Sequence, residues 1–424
     1  MVRRWVVGAL SLFAGSAALW NHSVAEYFGR VDNAWEASHP VPAPPPVELG
    51  RHRVTIASTR VVAPSPALPP EAKTQPANDN LDVVRHQGRV YLAWRTAPDH
   101  FASEATVINV VSSEDERSWR FEARFHLGTD LREPRLLSLG EKLLLYVSKL
   151  GKNPLKFEPF GVVVTERGAD GAWSELEPAG PPGAILWRVR PFEGEALMIA
   201  YRGGERSYSI DREPMTVELW RSLDGRKWRP FSSRGPVVSE GGGTEADFAL
   251  ADDGSLFAVV RNEAGDASGW GSKLCRARSG ALDVWSCTSD RKRYDSPLVF
   301  AHDGETYVLG RRNLTPSGDY DVSTSSIALL RTIQNQLSYI TAAKRCSLFR
   351  FDREKNRLGF VLDLPSRGDT CFPSALDPSD PTRLVVYDYS SNISGPDLPW
   401  SAGQRRPTFV YRHELVFAPR EEQR

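Results

Sequence analysis

The chain of 424 residues carries 53 Lys and Arg against 53 Asp and Glu, so its formal net charge is zero. It lacks the basic excess of a polyanion-binding surface, and nucleic acid is excluded as its main partner. Glycine (33) and proline (31) stay far below disordered or collagen-like levels, and a hydrophobic fraction of 41% with 12 Trp, 12 Tyr and 18 Phe is ample for a folded core.

Residues 1–25 open with Arg3 and Arg4, run through an apolar stretch from Trp5 to Trp20 and reach Ser23 and Ala25 in a small-x-small arrangement. This pattern reads as an export signal, either cleaved or retained as an N-terminal membrane anchor, with a buried helix as the alternative. The body of the protein is therefore expected outside the cytoplasm, secreted, periplasmic or anchored, and touching a membrane only through this segment. Residues 26–80 read as a linker: 38–50 and 62–80 are Pro-rich spacers or surface loops, and Arg53–Ala57 is a possible lone strand between them.

From residue 81 to 418 one pattern recurs six times: a polar start, an alternating apolar stretch, a turn, and a second strand rich in β-branched and aromatic residues. The copies run over 82–95, 133–149, 187–202, 245–261, 295–312 and 369–389. Gly88, Gly140, Gly194, Gly254 and Gly304 mark five of the turns, at separations of 52, 54, 60 and 50 residues. Further strands fit between the hairpins, at 106–111, 161–165, 218–221 and 347–351. Four strands per fifty residues is the size of a propeller blade, so the expected fold is an all-β, six-bladed β-propeller of four-stranded blades, with a pair of β-sandwiches as the alternative. Helical periodicity competes only over 326–343.

Two heptapeptides repeat S-x-D-x-x-x-W at a spacing of 109 residues: Ser113, Asp115 and Trp119, then Ser222, Asp224 and Trp228. Weaker echoes end in Trp173 and Trp285. In a tight turn the Ser and Asp oxygens accept backbone N–H groups while the Trp packs beneath. On these motifs and the blade order the chain resembles the sialidase-like superfamily with Asp-box, or bacterial neuraminidase, repeats, over about residues 80–415. The resemblance implies a glycosidase site with an assisting glutamate at Glu245 and substrate-binding arginines at Arg261 and Arg311. The blade-six segment Gly368-Asp369-Thr370-Cys371-Phe372-Pro373 resembles the family's G-D-T-x-[YF]-P. Three departures accompany it. No R-I-P arginine motif occurs, leaving Arg95 or Arg135 as substitutes; Phe372 stands where a catalytic tyrosine is sought; and no aspartate is assigned to the acid loop.

Propeller geometry brings the same position of successive blades to one funnel. Acids at the starts of inner strands, Asp82, Glu133, Glu245, Asp247, Asp295 and Asp369, and arginines at the ends of second strands, Arg95, Arg202, Arg261 and Arg311, are thus expected to form one polar cup. Guanidinium forks suit the carboxylate of an acidic sugar. Among these, Glu245, Asp369 and Glu133 are the catalytic candidates, and Arg261, Arg311, Arg95, Arg202, Asp295 and Tyr389 the substrate-binding ones; the partner expected is a carbohydrate. The alternative is a non-catalytic glycan- or protein-binding propeller at the cell envelope. No metal or cofactor motif is found, and His86, His100, His126, His302 and His413 show no ligand spacing. Cys275, Cys287, Cys346 and Cys371 are disulfide candidates, with Cys275 and Cys287 flanking one hairpin turn. Four cysteines permit three pairings, and buried free thiols are the alternative.

Overall fold

A computed structural model describes residues 43–46, 50–154, 156–203, 214–376 and 380–420. The segment 1–25, read as a signal or anchor, lies outside the described residues.

Alternating apolar residues build six antiparallel sheets in chain order. Blade one is β2 (Ala77–His86), β3 (Arg89–Ala97), β4 (Val107–Ser113) and β5 (Arg120–Phe125). Blade two is β6 (Asp130–Leu139), β7 (Lys142–Leu150), β8 (Pro159–Arg167) and β9 (Glu177–Ala179). Blade three is β10 (Ile185–Phe192), β11 (Glu195–Arg202), β12 (Met215–Ser222) and β13 (Arg229–Pro230), with β14 (Val237–Gly241) also pairing β12. Blade four is β15 (Gly243–Leu250), β16 (Leu256–Asn262), β17 (Lys273–Ala277) and β18 (Ser286–Ser289). Blade five is β19 (Asp295–His302), β20 (Glu305–Asn313), β21 (Lys344–Asp352) and β22 (Arg357–Asp363), interrupted by helix α1 (Ala328–Thr341), where helical periodicity competes. Blade six joins the two ends of the chain: β23 (Ser374–Leu376), β24 (Arg383–Ser391) and β25 (Thr408–Pro419) are completed by β1 (His52–Ala63), which pairs β25 from His52↔Pro419 to Ala63↔Val410. The strand read as isolated within a linker is thus longer and belongs to the propeller, and β2 begins at Ala77. The backbone groups of β1 and β25 satisfy each other, and the pairing closes the ring by making β1 the outermost strand of blade six.

The two S-x-D-x-x-x-W motifs are the turns from third to fourth strand in blades one and three. Asp115 Oδ1 accepts the N–H groups of Arg117 and Ser118 at 2.8 Å each, and Asp224 Oδ1 those of Arg226 and Lys227 at 2.8 Å each. Trp119 packs edge-on to Tyr387 and Trp228 edge-on to Tyr146. The cysteines pair as Cys275–Cys287, directly opposed on β17 and β18, and Cys346–Cys371, which ties blade five to the segment that begins blade six.

Near the start of the innermost strand, five blades break register: between Asp79 and Leu81, Arg132 and Arg135, Leu186 and Arg188, Gly243 and Ala246, and Asp295 and Leu298. Three of these bulges hold a non-glycine residue in the left-handed region, Asn80 at φ 38°, Glu133 at 52° and Ser296 at 52°. Bulges of this kind re-aim side chains and cluster at functional sites. Just below them the blades lock together. Asp82 accepts the N–H of Leu136 and the hydroxyl of Ser374, and Asp247 accepts the N–H of Val299.

Candidate functional site

The face where inner strands begin and second strands end opens into a cleft of about 820 Å³. Glu133, Tyr201, Glu245, Arg261, Arg311 and Tyr389 line it, with aromatic walls from Phe101, Phe157, Phe372 and Trp400.

The blade-four and blade-five side is an ion-pair network. Arg261 bonds Glu245, lies 2.5 Å from Glu263 and 3.3 Å from Asp295, so one guanidinium answers three carboxylates. Glu245 is held from the other side by the N–H of Ser296 at 2.8 Å. Asp295 is fully buried and also pairs Arg293 at 2.6 Å, while the Tyr339 hydroxyl donates to it. Burial opposes its ionisation, but Arg261, Arg293 and Arg311 hold its carboxyl well below the usual range. Arg311 donates to the carbonyls of Thr370 and Cys371 and to the Tyr339 hydroxyl, and stands over the Trp400 ring at 5.3 Å. Its nearest carboxylate oxygen, on Asp295, is 3.9 Å away.

Opposite, the bulge at Glu133 turns its carboxyl into the cleft, 3.3 Å from the Asn80 amide nitrogen. Burial pushes this carboxyl up to about 7; the field of Arg135 opposes the shift and that of Glu245 adds to it. Tyr201, at the end of β11, completes the group. Burial raises its hydroxyl well above the ordinary tyrosine value, and Glu133 and Glu245 both reinforce the shift.

The blade-one and blade-six side holds a second network. Arg95 is fully buried, 3.1 Å from both oxygens of Asp79 and 3.0 Å from Asp130, and Arg132 bonds Asp130 at 2.5 Å. Asp369 Oδ1 accepts from the Tyr389 hydroxyl at 3.0 Å and from the Trp400 indole at 3.1 Å. Its Oδ2 lies 2.8 Å from His100 Nδ1. Asp79, His100 and Asp369 bring three donor atoms within 4.8 Å of one another. Cys346 and Cys371 also lie near Asp388, but the disulfide leaves them no thiolate to offer a metal.

No protein-family model and no curated protein sequence matches the chain. Solved structures do. A Dyadobacter fermentans protein of unknown function aligns over 86% of this chain and 99% of its own, with a TM-score of 0.58 at 15% identity. A Trypanosoma rangeli sialidase aligns over 88% of this chain at a TM-score of 0.52 and 14% identity, and the phage phi92 endosialidase over 88% at 0.54 and 10%. The fold is that of a sialidase-like propeller. The chain spans 60% of the trypanosomal sialidase and 70% of the endosialidase.

Within this sialidase-like propeller, the structure gathers Glu245, Glu133, Arg261, Arg311 and Tyr389 at one cleft. It withholds others from its surface. Arg95 is sealed behind Asp79 and Asp130, and Asp295 lies behind the arginines it anchors. Arg202 turns to Glu218 at 2.7 Å, because the third blade offers it an acid on the neighbouring strand β12. Asp369 is buried and meets the cleft through His100 and Tyr389. Neither substitute for the missing R-I-P arginine reaches the cleft, since Arg135 is buried over the rings of Phe372 (4.3 Å) and Trp187 (5.1 Å). Sequence reasoning missed Tyr201 and His100. Tyr201 precedes Arg202 at a strand end, a position the repeat alignment marks, whereas His100 sits in a loop with no periodic signal.

Proposed function

We propose that this propeller is an exported glycoside hydrolase. The observation that carries the reading is the meeting of Glu133, Glu245 and Tyr201 in one arginine-bearing cleft. Glu133, poised near neutrality, is the proton donor to the leaving glycosidic oxygen. Tyr201 attacks the anomeric carbon as its proton passes to Glu245, taking the place of the tyrosine sought in blade six, where Phe372 stands. Water then attacks the anomeric carbon, Glu133 accepting its proton while Glu245 returns a proton to the departing Tyr201 phenolate. Arg311, whose nearest carboxylate is the most distant of the set, is the guanidinium best placed to receive the carboxylate of an anionic sugar. The N-terminal segment and two disulfides support an extracytoplasmic location.

A second reading, a glycan-binding propeller without turnover, is favoured by one observation: Arg261 is already matched by three carboxylates. Fluorogenic sialosides and neutral glycosides, assayed with wild type, Glu245→Gln and Tyr201→Phe, decide between them. Hydrolysis by wild type, lost at least about 100-fold in both variants, supports the hydrolase. Retained glycan binding with no turnover of any substrate supports the binder.

A further inference from the structure

The blade-one and blade-six network carries an inference independent of the hydrolase reading. Asp79 and Asp369 are fully buried. Asp369 Oδ2 and His100 Nδ1 are buried, lie 2.8 Å apart and have no hydrogen-bond partner other than each other. Asp79 Oδ2 is 3.7 Å from the same nitrogen. The three atoms converge on one point where a single cation would answer them all, although Asp79 Oδ2 also accepts from Arg95 at 3.1 Å.

We propose that Asp79, His100 and Asp369 form a site for one divalent transition-metal cation at the rim of the cleft. The charges call for it: three buried carboxylates, Asp79, Asp130 and Asp369, meet two guanidiniums, Arg95 and Arg132. Arg311 adds its field to Asp369 from farther off, its closest carboxylate oxygen being that of Asp295 at 3.9 Å. Spacing agrees as well. Donors bound at about 2.1 Å in a tetrahedron sit about 3.4 Å apart, between the 2.8 and 3.7 Å seen here. An imidazole with two carboxylates suits Zn²⁺ or Mn²⁺ better than Ca²⁺ or Mg²⁺. The surroundings fix the donors as outer partners of metal ligands do: Tyr389 and Trp400 hold Asp369 Oδ1 and leave Oδ2 facing His100, while Arg95 fixes Asp79. His100 lines the cleft, so water or a substrate oxygen can complete the coordination.

The test is isothermal titration of the chelator-stripped, full-length protein with ZnCl₂ and with MnCl₂, repeated on His100→Ala and Asp369→Asn, with circular dichroism to verify folding. One equivalent of either metal is expected to bind, weakened at least about 100-fold in His100→Ala, whose side chain stands at the cleft edge where truncation leaves the fold intact. Absence of saturable binding of both metals below millimolar concentration overturns the site. So does undiminished binding in folded His100→Ala, or an NMR signal showing a proton retained on His100 Nδ1 at saturating metal.

Discussion

Glu245 and Ser296 are joined across a blade boundary: the carboxylate of the blade-four bulge accepts the N–H of the blade-five bulge at 2.8 Å. Ser296 presents that N–H because its backbone is left-handed, at φ 52°. One bulge therefore orients the carboxylate of the other, which leaves its second oxygen to Arg261. Ser296→Val puts a β-branched residue into this left-handed bulge, which strains it and turns the N–H away from the carboxylate. Turnover in the glycoside assay is expected to fall about 10- to 100-fold through kcat, with the CD spectrum unchanged; an unchanged kcat would remove Ser296 from the positioning of Glu245.

Glu133 should set the alkaline limb of activity. Its folded value is raised to about 7, so the proton it donates is present below that pH and lost above it. The kcat/KM profile is expected to fall as pH rises through about 7, and in Glu133→Gln the residual activity should lose this limb. A limb that persists in the variant assigns the proton to another group.

Asp388 makes stability depend on pH in the opposite sense to most carboxylates. It is buried with one oxygen on the N–H of Phe372 at 2.6 Å and the other unpartnered, and burial pushes it up to about 7. Between pH 4 and 7 the folded chain holds a proton that the unfolded chain has released, so stability falls as pH rises across that window. The slope this group adds is at most about 1.4 kcal/mol per pH unit. Denaturant unfolding of wild type and Asp388→Asn at pH 4, 5.5 and 7 should show the variant gaining relative to wild type at each step. Parallel curves would contradict the assignment.

The turn aspartate Asp224 acts the other way. Its bonds to the N–H groups of Arg226 and Lys227 and to the Ser222 hydroxyl hold it at about 2. Its contribution is present above the unfolded value near 4 and fades as pH falls toward 2. Asp224→Ala should destabilise by about 1–3 kcal/mol at pH 7, measured by urea unfolding, and by less at pH 3. Equal losses at both pH values would point to packing of Trp228 instead.

Arg202 tests the boundary of the site. It pairs with Glu218 and does not line the cleft, so Arg202→Ala should leave kcat/KM within about twofold while Arg311→Ala lowers it at least about tenfold on an anionic substrate.

Strand alternation, the glycine-marked turns and the S-x-D-x-x-x-W repeats were enough to read six four-stranded blades, because period-2 patterns and turn chemistry are local. The same repeat positions located Glu245, Glu133, Arg261 and Arg311, since equivalent positions in a closed ring must converge. Three things were decided only by tertiary structure. The strand at His52–Ala63 looks isolated in the sequence because its partner, Thr408–Pro419, lies more than 300 residues away. Arg95 and Arg202 carry the same repeat signature as Arg261, yet neighbouring acids draw one into the core and the other away from the funnel. Tyr201 and His100 reach the cleft from a strand end and a loop, and which way a side chain points there depends on bulges and long-range packing that no local pattern records.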